Sequence, residues 1–323
     1  MSFLSHASLF LAAIAIVWFF AGLLIESVNN VAKRFHQNGF TVAFFVLGFL
    51  TSISEISVMV NASLERSPQV SAGNVVGASL VILLFIVPML AIVGNGIQLR
   101  NTLRKRNLGL ALLVILLPVL LLLDGTVSRS DGLLCVLAYG TLLYFIRKQH
   151  TGSVKGVVKA VEKELVNSRT ATVNDAVKIL FGAGFIFLAG HLLVEEAVYF
   201  AGYFGVPSSI IGLIALSIGT NIPELVIAIR SILKKRQDIA FGDYLGSTVT
   251  NTLIFAFLPF LNGSFHVEPT EFMATAVIMG IGFAGFYFAA RSKNAISRAE
   301  GRWLLVAYAA FFGAQILNLI HLR

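Results

Sequence analysis

Two short stretches of this chain share one pattern: residues 51–55 read Thr-Ser-Ile-Ser-Glu and residues 220–224 read Thr-Asn-Ile-Pro-Glu. A shift of 169 residues, from 51 to 220, aligns them without gaps and also places residues 73–77 on residues 242–246. Each stretch lies inside a long run of apolar residues. The spacing indicates an internal duplication in which each copy carries a polar centre.

The composition around these stretches is that of a membrane protein. Hydrophobic residues make up 57% of the 323 residues and charged residues only 12%, whereas soluble domains are about 25% charged. Such a chain has too little polar surface to cover a water-exposed globule, so we predict an all-α integral membrane protein. The single cysteine, Cys135, excludes an internal disulfide framework and a cysteine-rich metal site.

The apolar runs predict ten transmembrane helices, because a helix needs about 20 apolar residues to cross the hydrocarbon. Five spans fall in each copy of the duplication, and an odd number forces the copies to face opposite ways, as inverted five-helix repeats. The predicted spans are residues 7–30, 39–64, 69–94, 107–123, 131–147, 176–200, 208–233, 238–261, 270–290 and 303–320. The predicted units are the first repeat 1–147 with its motif at 48–82, a linker 148–175, and the second repeat 176–323 with its motif at 217–251.

The positive charges predict the orientation. All but three of the 24 Lys and Arg residues lie in the loops after odd-numbered spans or beside them, the exceptions being Arg66, Arg129 and Arg323. The positive-inside rule then places both termini outside and the 148–175 linker in the cytoplasm of a multi-pass inner (plasma) membrane protein. Within the linker, apolar residues at helical spacing favour an amphipathic helix on the inner leaflet over a regulatory element.

The same distribution explains the net charge of +8 without a nucleic-acid partner. We expect the lipid bilayer and small inorganic cations as partners, and no nucleic acid, nucleotide or obligatory protein partner.

The two duplicated glutamates, Glu55 and Glu224, are the strongest functional candidates. An acidic side chain at the bilayer centre costs about 2.5–3.5 kcal/mol, and two facing carboxylates repel unless a cation or proton lies between them. Thr51 and Thr220 stand four residues earlier, on the same helical face. Calcium takes roughly six to eight oxygen ligands, so these four residues are predicted metal ligands. The alternative, in which the hydroxyls bond only their own helix, is less favoured for a duplicated pattern.

Other polar and small residues flank this pair. Pro223 is expected to displace the carbonyl of Gly219 and free backbone oxygen beside Glu224. Ser247 and Asn251 lie four residues apart and can face the same cavity. The glycines at positions 73, 77, 242 and 246 are expected to pack helices closely rather than to bind ions. Asn74 and Asp243 are either structural or line an entry path, and they remain secondary candidates together with Gly48 and Ser217.

These residues resemble the repeats of the calcium/cation antiporter superfamily, most closely its prokaryotic sodium/calcium exchanger branch. That family carries two repeats of the form G-T-S-x-P-E followed by G-N-x-x-G-S-N-x-x-N. Here residues 219–224 read Gly-Thr-Asn-Ile-Pro-Glu and residues 50–55 read Leu-Thr-Ser-Ile-Ser-Glu. The resemblance implies a ten-helix fold and exchange of Ca²⁺ against Na⁺. It adds Ser52 and Asn221 to the cation site, beside the two threonines and two glutamates.

The first repeat departs from the family pattern more than the second. Leu50 and Ser54 replace the motif's Gly and Pro, and Ala78 and Ile82 stand where the family has polar residues. The second repeat keeps Ser247 and Asn251 at the matching positions. The expected site is therefore lopsided, with more side-chain ligands from the second repeat.

The leading hypothesis is a secondary antiporter that exchanges Ca²⁺, or a related divalent cation, for Na⁺ by alternating access at the two glutamates. The family resemblance implies that spans one and six slide across the other helices. The nearest alternative is a Ca²⁺/H⁺ antiporter in which the glutamates take up protons. A channel-like or non-transporting membrane protein is a further possibility, which loss of both glutamates would have favoured. An enzyme is the weakest alternative: no nucleophile–base pair is visible, so we expect no catalytic residues and no resident cofactor.

Overall fold

The computed structural model describes residues 3–33, 40, 43–99, 105–149, 169–222, 224–225, 228–229, 237–293 and 295–321. Almost all of these residues are helical, so the predicted all-α class is confirmed. Most of the predicted linker, residues 150–168, lies outside the described residues, and so does Pro223. Helix α7, defined below, is described from Arg169 onward, which already lies before the apolar run of the predicted sixth span.

The first half of the chain contains six labelled helices and two short strands in the described residues. They are α1 (Phe3–Lys33), α2 (π-helical Ala43–Leu47 followed by Gly48–Thr51), α3 (Ile53–Leu64), α4 (Pro68–Val93), β1 (Ile97–Gln98), α5 (Lys105–Leu121), β2 (Thr126–Val127) and α6 (Arg129–Gln149).

The second half contains five further labelled helices and two strands in the same described part. They are α7 (Arg169–Phe204), α8 (Ser208–Thr220, with a π-helical turn at Gly212–Leu216), α9 (Gln237–Asn262), β3 (Phe265–His266), α10 (Pro269–Lys293), β4 (Ala295–Ile296) and α11 (Arg298–His321). Glu224, Leu225, Ala228 and Ile229 are also helical.

Seven helices of the described ranges are long and apolar enough to cross a membrane. They match predicted spans one, three, four, five, six, eight and nine, and α11 overlaps the predicted tenth. The apolar stretches are Phe3–Phe20, Pro68–Val93, Arg106–Asp124, Arg129–Lys148, Gly184–Phe204, Ala240–Asn262 and Pro269–Arg291. In the described residues of predicted spans two and seven, the longest apolar helices are Ile53–Leu64 and Ser208–Thr220, which are too short to cross alone.

Those two spans are shorter because each is interrupted at a polar residue. The backbone leaves helical geometry at Ser52 (φ −75°, ψ 5°) and at Asn221 (φ −92°, ψ 9°). The Ser52 Oγ donates to the Gly48 carbonyl (2.8 Å), and the Asn221 Nδ2 donates to the Ser217 carbonyl (2.6 Å). Side chains that bond the carbonyl four residues earlier often bend helices, and such a bond accompanies the interruption at the duplicated polar residue in each half.

A constant offset relates elements of the two halves. Adding 169 to the π-helical turn Ala43–Leu47 gives Gly212–Leu216, the π-helical turn of α8. The interruptions at Ser52 and Asn221 differ by the same number. The strands pair between halves as well, because β1 lies antiparallel to β4 and β2 antiparallel to β3.

The helices form two packed groups. Helices α1 and α7 lie along each other, and α7 also contacts α3. Their buried apolar residues, with a few from α3, α4 and α8, form a cluster separate from the larger core around α4 and α9. At one end of the pair, the His6 Nδ1 of α1 lies 2.8 Å from the Glu196 Oε2 of α7. The pair is therefore a distinct layer against the rest of the molecule.

Candidate cation-binding site

Three carboxylates lie buried where the interrupted helices meet α4 and α9. Glu55, Glu224 and Asp243 are each 0% exposed. Among the buried polar residues of the described ranges there is no Lys, Arg or His. Glu224 is close enough to Glu55 and Asp243 for their charges to interact electrostatically. Buried charges need partners of opposite sign, so this group of carboxylates needs a bound cation or protons to neutralise it.

Glu55 is held by the residues just before it. The Ser54 Oγ lies 2.8 Å from the Glu55 Oε2 and 3.4 Å from the carbonyl oxygen of Thr220. Ser54 therefore joins the interrupted helix of one half to that of the other. The sequence comparison identifies Ser54 only as a replacement for the motif's proline and does not predict its contact with the glutamate. A hydroxyl adjacent to a buried carboxylate was the signal that could have identified it.

Glu224 is approached from α9 and from the interruption between α2 and α3. The Ser247 Oγ lies 3.4 Å from the Glu224 Oε1 and 3.2 Å from the Ser52 Oγ. The Tyr244 hydroxyl donates to the carbonyl oxygen of Glu224 (3.2 Å). The structure thus brings together three residues predicted for the site, namely Ser52, Glu224 and Ser247.

The two threonines donate hydrogen bonds to Asp243 and Asn74, the two polar residues whose role the sequence leaves open. The Thr51 Oγ1 donates to the Asp243 Oδ1 (3.2 Å), and the Thr220 Oγ1 donates to the Asn74 Oδ1 (3.3 Å). The offset of 169 residues relates one pair to the other. All four side chains are almost completely buried. Asn74 and Asp243 therefore lie beside predicted ligands and belong to the site.

The remaining predicted residues occupy different roles. The Asn251 Nδ2 lies 3.4 Å from the Ser79 Oγ, which links α9 to α4. The Ser217 hydroxyl donates to the Leu213 carbonyl (2.6 Å) of its own helix, so its side chain is structural. Gly48 and Ser217 take part through the carbonyls that accept from Ser52 and Asn221.

Several oxygen atoms of the site have no hydrogen-bond partner although they are buried. A buried polar atom without a partner costs about 1–3 kcal/mol, and each of these oxygens can accept a cation. Carboxylate and amide oxygens are the ligands that hard cations prefer. The atoms are Glu55 Oε1, Glu224 Oε2, Asp243 Oδ2, Asn221 Oδ1 and Asn251 Oδ1.

Glycines permit the close helix packing that gathers these side chains. A Cβ atom on Gly77 of α4 would overlap the Leu213 carbonyl oxygen of α8, and one on Gly246 of α9 would overlap the Phe44 carbonyl oxygen of α2. Any larger residue would push these helices apart. The predicted packing role of the glycines is confirmed at both positions.

The first repeat contributes apolar side chains where the second contributes polar ones. Ala78 and Ile82 are 0% exposed, and Ile82 belongs to the larger apolar core. Ser247 and Asn251 occupy the corresponding places of α9. The polar side chains at these positions are therefore unequal between the halves.

Comparison with known proteins gives consistent matches. The model of the sodium/calcium exchanger protein family matches residues 5–148 and 176–317. The inner membrane protein YrbG of Escherichia coli (strain K12) is 26% identical over 275 residues, 84% of each chain. The sodium/calcium exchanger MaX1 of Methanosarcina acetivorans is 23% identical over 327 residues, 89% of this chain and 91% of that one.

A solved structure of the sodium-calcium exchanger NCX_Mj, soaked with Na⁺ and Sr²⁺, has the same fold. Its TM-score is 0.69 at 19% identity, over 97% of this chain and 99% of that chain. The family model covers most of the sequence on both sides of residues 149–175. The chain therefore belongs to the sodium/calcium exchanger family, whose members are cation-exchanging membrane transporters and not enzymes.

Proposed function

We propose that this protein exchanges Ca²⁺, or a related divalent cation, for Na⁺ by alternating access at a site built on Glu55 and Glu224. The observation that carries the proposal is the set of buried, partnerless oxygens on and around these two glutamates. With no cationic side chain buried in the described part of the protein, the cargo itself supplies the compensating charge.

Each ligand has a defined place in this proposal. Glu55 and Glu224 supply the charge, and the hydroxyls and amides around them complete the oxygen shell. Ca²⁺ and Na⁺ are cargo, and the exchange needs no resident cofactor. The surrounding ligands are Thr51, Ser52, Thr220, Asn221, Ser247 and Asn251, with Asn74 and Asp243 beside the threonines.

The proposed architecture is ten spans in two inverted repeats, 1–147 and 176–323. The offset of 169 residues between the π-helical turns and between the helix interruptions supports the repeat. Transporters built from inverted repeats bind their cargo near the midplane, at discontinuous helices. The interruptions at Ser52 and Asn221 fit that arrangement.

We propose that α1 and α7 move together to switch access between the two sides. Their separate apolar cluster supports this, since no buried apolar residue described in α1 or α7 belongs to the larger core. Contact with α3 is tight at Gly190, where an added Cβ would overlap the Ser57 hydroxyl. Ser57 Oγ lies 3.2 Å from the Ile186 carbonyl and 3.1 Å from the Phe187 carbonyl, which are contacts that can break and re-form on sliding.

The proposed orientation places both termini outside and the 148–175 linker in the cytoplasm. The distribution of Lys and Arg supports it. The name of the Escherichia coli relative, an inner membrane protein, supports the inner (plasma) membrane as the location.

A Ca²⁺/H⁺ antiporter is the second candidate function, and the buried aliphatic residues Ala78 and Ile82 favour it. Each occupies a position where an oxygen ligand for Na⁺ would otherwise lie. Protons need no coordination shell, so a carboxylate pair with fewer oxygen neighbours suits them better than it suits Na⁺.

Calcium uptake into everted membrane vesicles distinguishes the two functions. We expect a Na⁺ gradient directed out of the vesicles to drive ⁴⁵Ca²⁺ uptake at constant pH on both sides. A proton gradient without Na⁺ should drive little uptake. Uptake driven only by the proton gradient would support the alternative, and uptake driven by neither would contradict both.

The unequal contribution of the two repeats to the proposed site predicts a larger effect for a substitution in α9 than for the corresponding one in α4. Asn251→Ala removes an amide oxygen. If that oxygen contributes as much as one hydrogen bond, about 1.4 kcal/mol, its loss raises the half-saturating Na⁺ concentration about tenfold. Ile82→Ala, at the corresponding position of α4, removes no ligand and should change it by less than about twofold. The measurement is Na⁺-dependent Ca²⁺ efflux from proteoliposomes. Equal effects of the two substitutions would contradict the unequal contribution of the halves.

A further inference from the structure

Asp243 and Asn74 occupy equivalent positions but differ in charge. Asp243 of α9 and Asn74 of α4 are 169 residues apart, the offset that relates the two halves. Each accepts a hydrogen bond from the threonine of the opposite half, Thr51 and Thr220 respectively. Their burial is the same, at 0% exposed, and Asp243 Oδ2 has no hydrogen-bond partner. The duplicated framework thus carries a carboxylate in one copy and an amide in the other.

Asp243 and Asn74 lie toward opposite ends of the antiparallel helix pair α4 and α9. The Gln69 Nε2 near the start of α4 donates to the His266 carbonyl just after α9 (3.2 Å). The Asn262 Nδ2 at the end of α9 lies 2.9 Å from the Ser63 Oγ, close before α4. Helix α9 therefore ends where α4 begins, and the two helices run in opposite directions. We call the membrane face at which α4 begins the α4 face and the face at which α9 begins the α9 face.

We infer that Asp243 is a third cation-binding carboxylate that acts on one side of the membrane only, as the acidic ligand for cations that reach the site from the α9 face. Asn74 is its uncharged counterpart for cations from the α4 face. The inference rests on the proposed function. In the proposed orientation, the α9 face is the cytoplasmic one.

The physical reason is the charge of the ligand that a cation meets beside the glutamates. Affinity for Ca²⁺ rises with the number of charged ligands, and an unpaired carboxylate inside protein attracts a divalent ion more strongly than an amide does. When the site opens to the α9 face, the Thr51–Asp243 pair lies toward that opening, whereas the Thr220–Asn74 pair lies toward the other. A single difference between the repeats then makes the two faces unequal in apparent affinity.

The test measures Ca²⁺ affinity separately on each face. Initial ⁴⁵Ca²⁺ influx into Na⁺-loaded vesicles is followed over a range of external Ca²⁺, in right-side-out and in everted vesicles. The orientation of the protein in each vesicle preparation is determined with Ser264→Cys, an exposed position after α9 and hence on the α4 face. A membrane-impermeant thiol reagent labels this cysteine only where the α4 face is outside the vesicle. The variants are Asp243→Asn, Asn74→Asp and the double exchange of the two residues.

We expect wild-type protein to bind Ca²⁺ more tightly from the α9 face. Asp243→Asn should raise the half-saturating Ca²⁺ concentration about tenfold on that face and less than about twofold on the other. Asn74→Asp should lower it about tenfold on the α4 face. The double exchange should reverse the preference between faces.

Several outcomes would overturn the inference. Asp243→Asn could change the half-saturating Ca²⁺ concentration equally on both faces, or only on the α4 face. Either result would show that Asp243 does not act from the α9 face alone. If Asp243→Asn fails to give folded protein, the test rests on Asn74→Asp alone. Tighter Ca²⁺ binding by Asn74→Asp on the α9 face, or on both faces, would contradict the inference. If the wild-type protein exchanges Ca²⁺ but the substitutions change Ca²⁺ affinity equally on both faces, only this inference is contradicted. Absence of any Ca²⁺ flux in wild-type vesicles contradicts the proposed function as well.

Discussion

Glu55→Gln and Glu224→Gln are each expected to slow Ca²⁺ exchange by at least about 100-fold while the protein still inserts and folds. Glutamine keeps the shape of the side chain but removes one of the charges that balance a divalent ion in a site without buried Lys, Arg or His in the described residues. Removing one partner of a buried charge pair costs about 3–5 kcal/mol. The measurement is ⁴⁵Ca²⁺ flux in proteoliposomes, normalised to incorporated protein.

Glu65→Gln is the matched control for these variants. Glu65 follows the last residue of α3, ten residues after Glu55, and its side chain is 40% exposed. Loss of its charge should leave exchange near the wild-type rate, because water already screens an exposed carboxylate. Full exchange by Glu55→Gln or Glu224→Gln, or equal loss in Glu65→Gln, would contradict the assignment of the site.

Gly246→Val is expected to cause the second large loss. Its side chain would overlap the carbonyl oxygen of Phe44, so α9 could not lie against α2. Overpacking of this kind costs about 1–3 kcal/mol or more, which corresponds to a melting temperature lower by about 5–10 °C. We also expect exchange to fall more than about tenfold, since Ser247 adjoins Gly246 and a misplaced neighbour of the reacting centre costs activity steeply. Thermal unfolding in detergent and Ca²⁺ flux are the two measurements.

Gly280→Val tests whether the loss comes from the close approach. Gly280 lies inside α10, and a Cβ there would meet no atom within 4 Å. Valine has similar helix propensity at both positions, so only the packing differs. A similar drop in melting temperature for both variants would mean that the glycine contact between α9 and α2 does not hold the site together.

The sequence predicted the class and the main ligands because their signals are local. Apolar runs long enough to cross the bilayer predict membrane helices, and seven such helices are present in the described ranges. Glu55 and Glu224 stood out because acidic residues inside apolar runs are costly. Both are fully buried, and Ser52, Ser247 and the two threonines lie around them.

The interruptions of the second and seventh spans could not be placed from sequence. Pro223 was the only visible helix-breaking residue, and it lies outside the described residues. The breaks fall at Ser52 and Asn221, where a side chain bonds the carbonyl four residues earlier. Such back-bonding is one of several options for a serine or asparagine in a helix, and neighbouring helices decide which one is used.

The sequence placed Asp243 only among the secondary candidates for a related reason. Its place near the start of a membrane helix is compatible with an interfacial residue, and only the packing of α9 against α2 brings it to Thr51. That contact spans 192 residues of sequence. Pairing across such a separation depends on how the two halves assemble, which no local pattern specifies.

Calcium binding to purified protein tests the central claim most directly. Isothermal titration of Ca²⁺ into wild-type protein in Na⁺-free detergent solution should give one high-affinity site per chain, and added Na⁺ should weaken it by competition. The double variant Glu55→Gln/Glu224→Gln should lose that site while its melting temperature stays close to the wild-type value. Undiminished Ca²⁺ binding by the double variant would contradict a cation site built on the two glutamates.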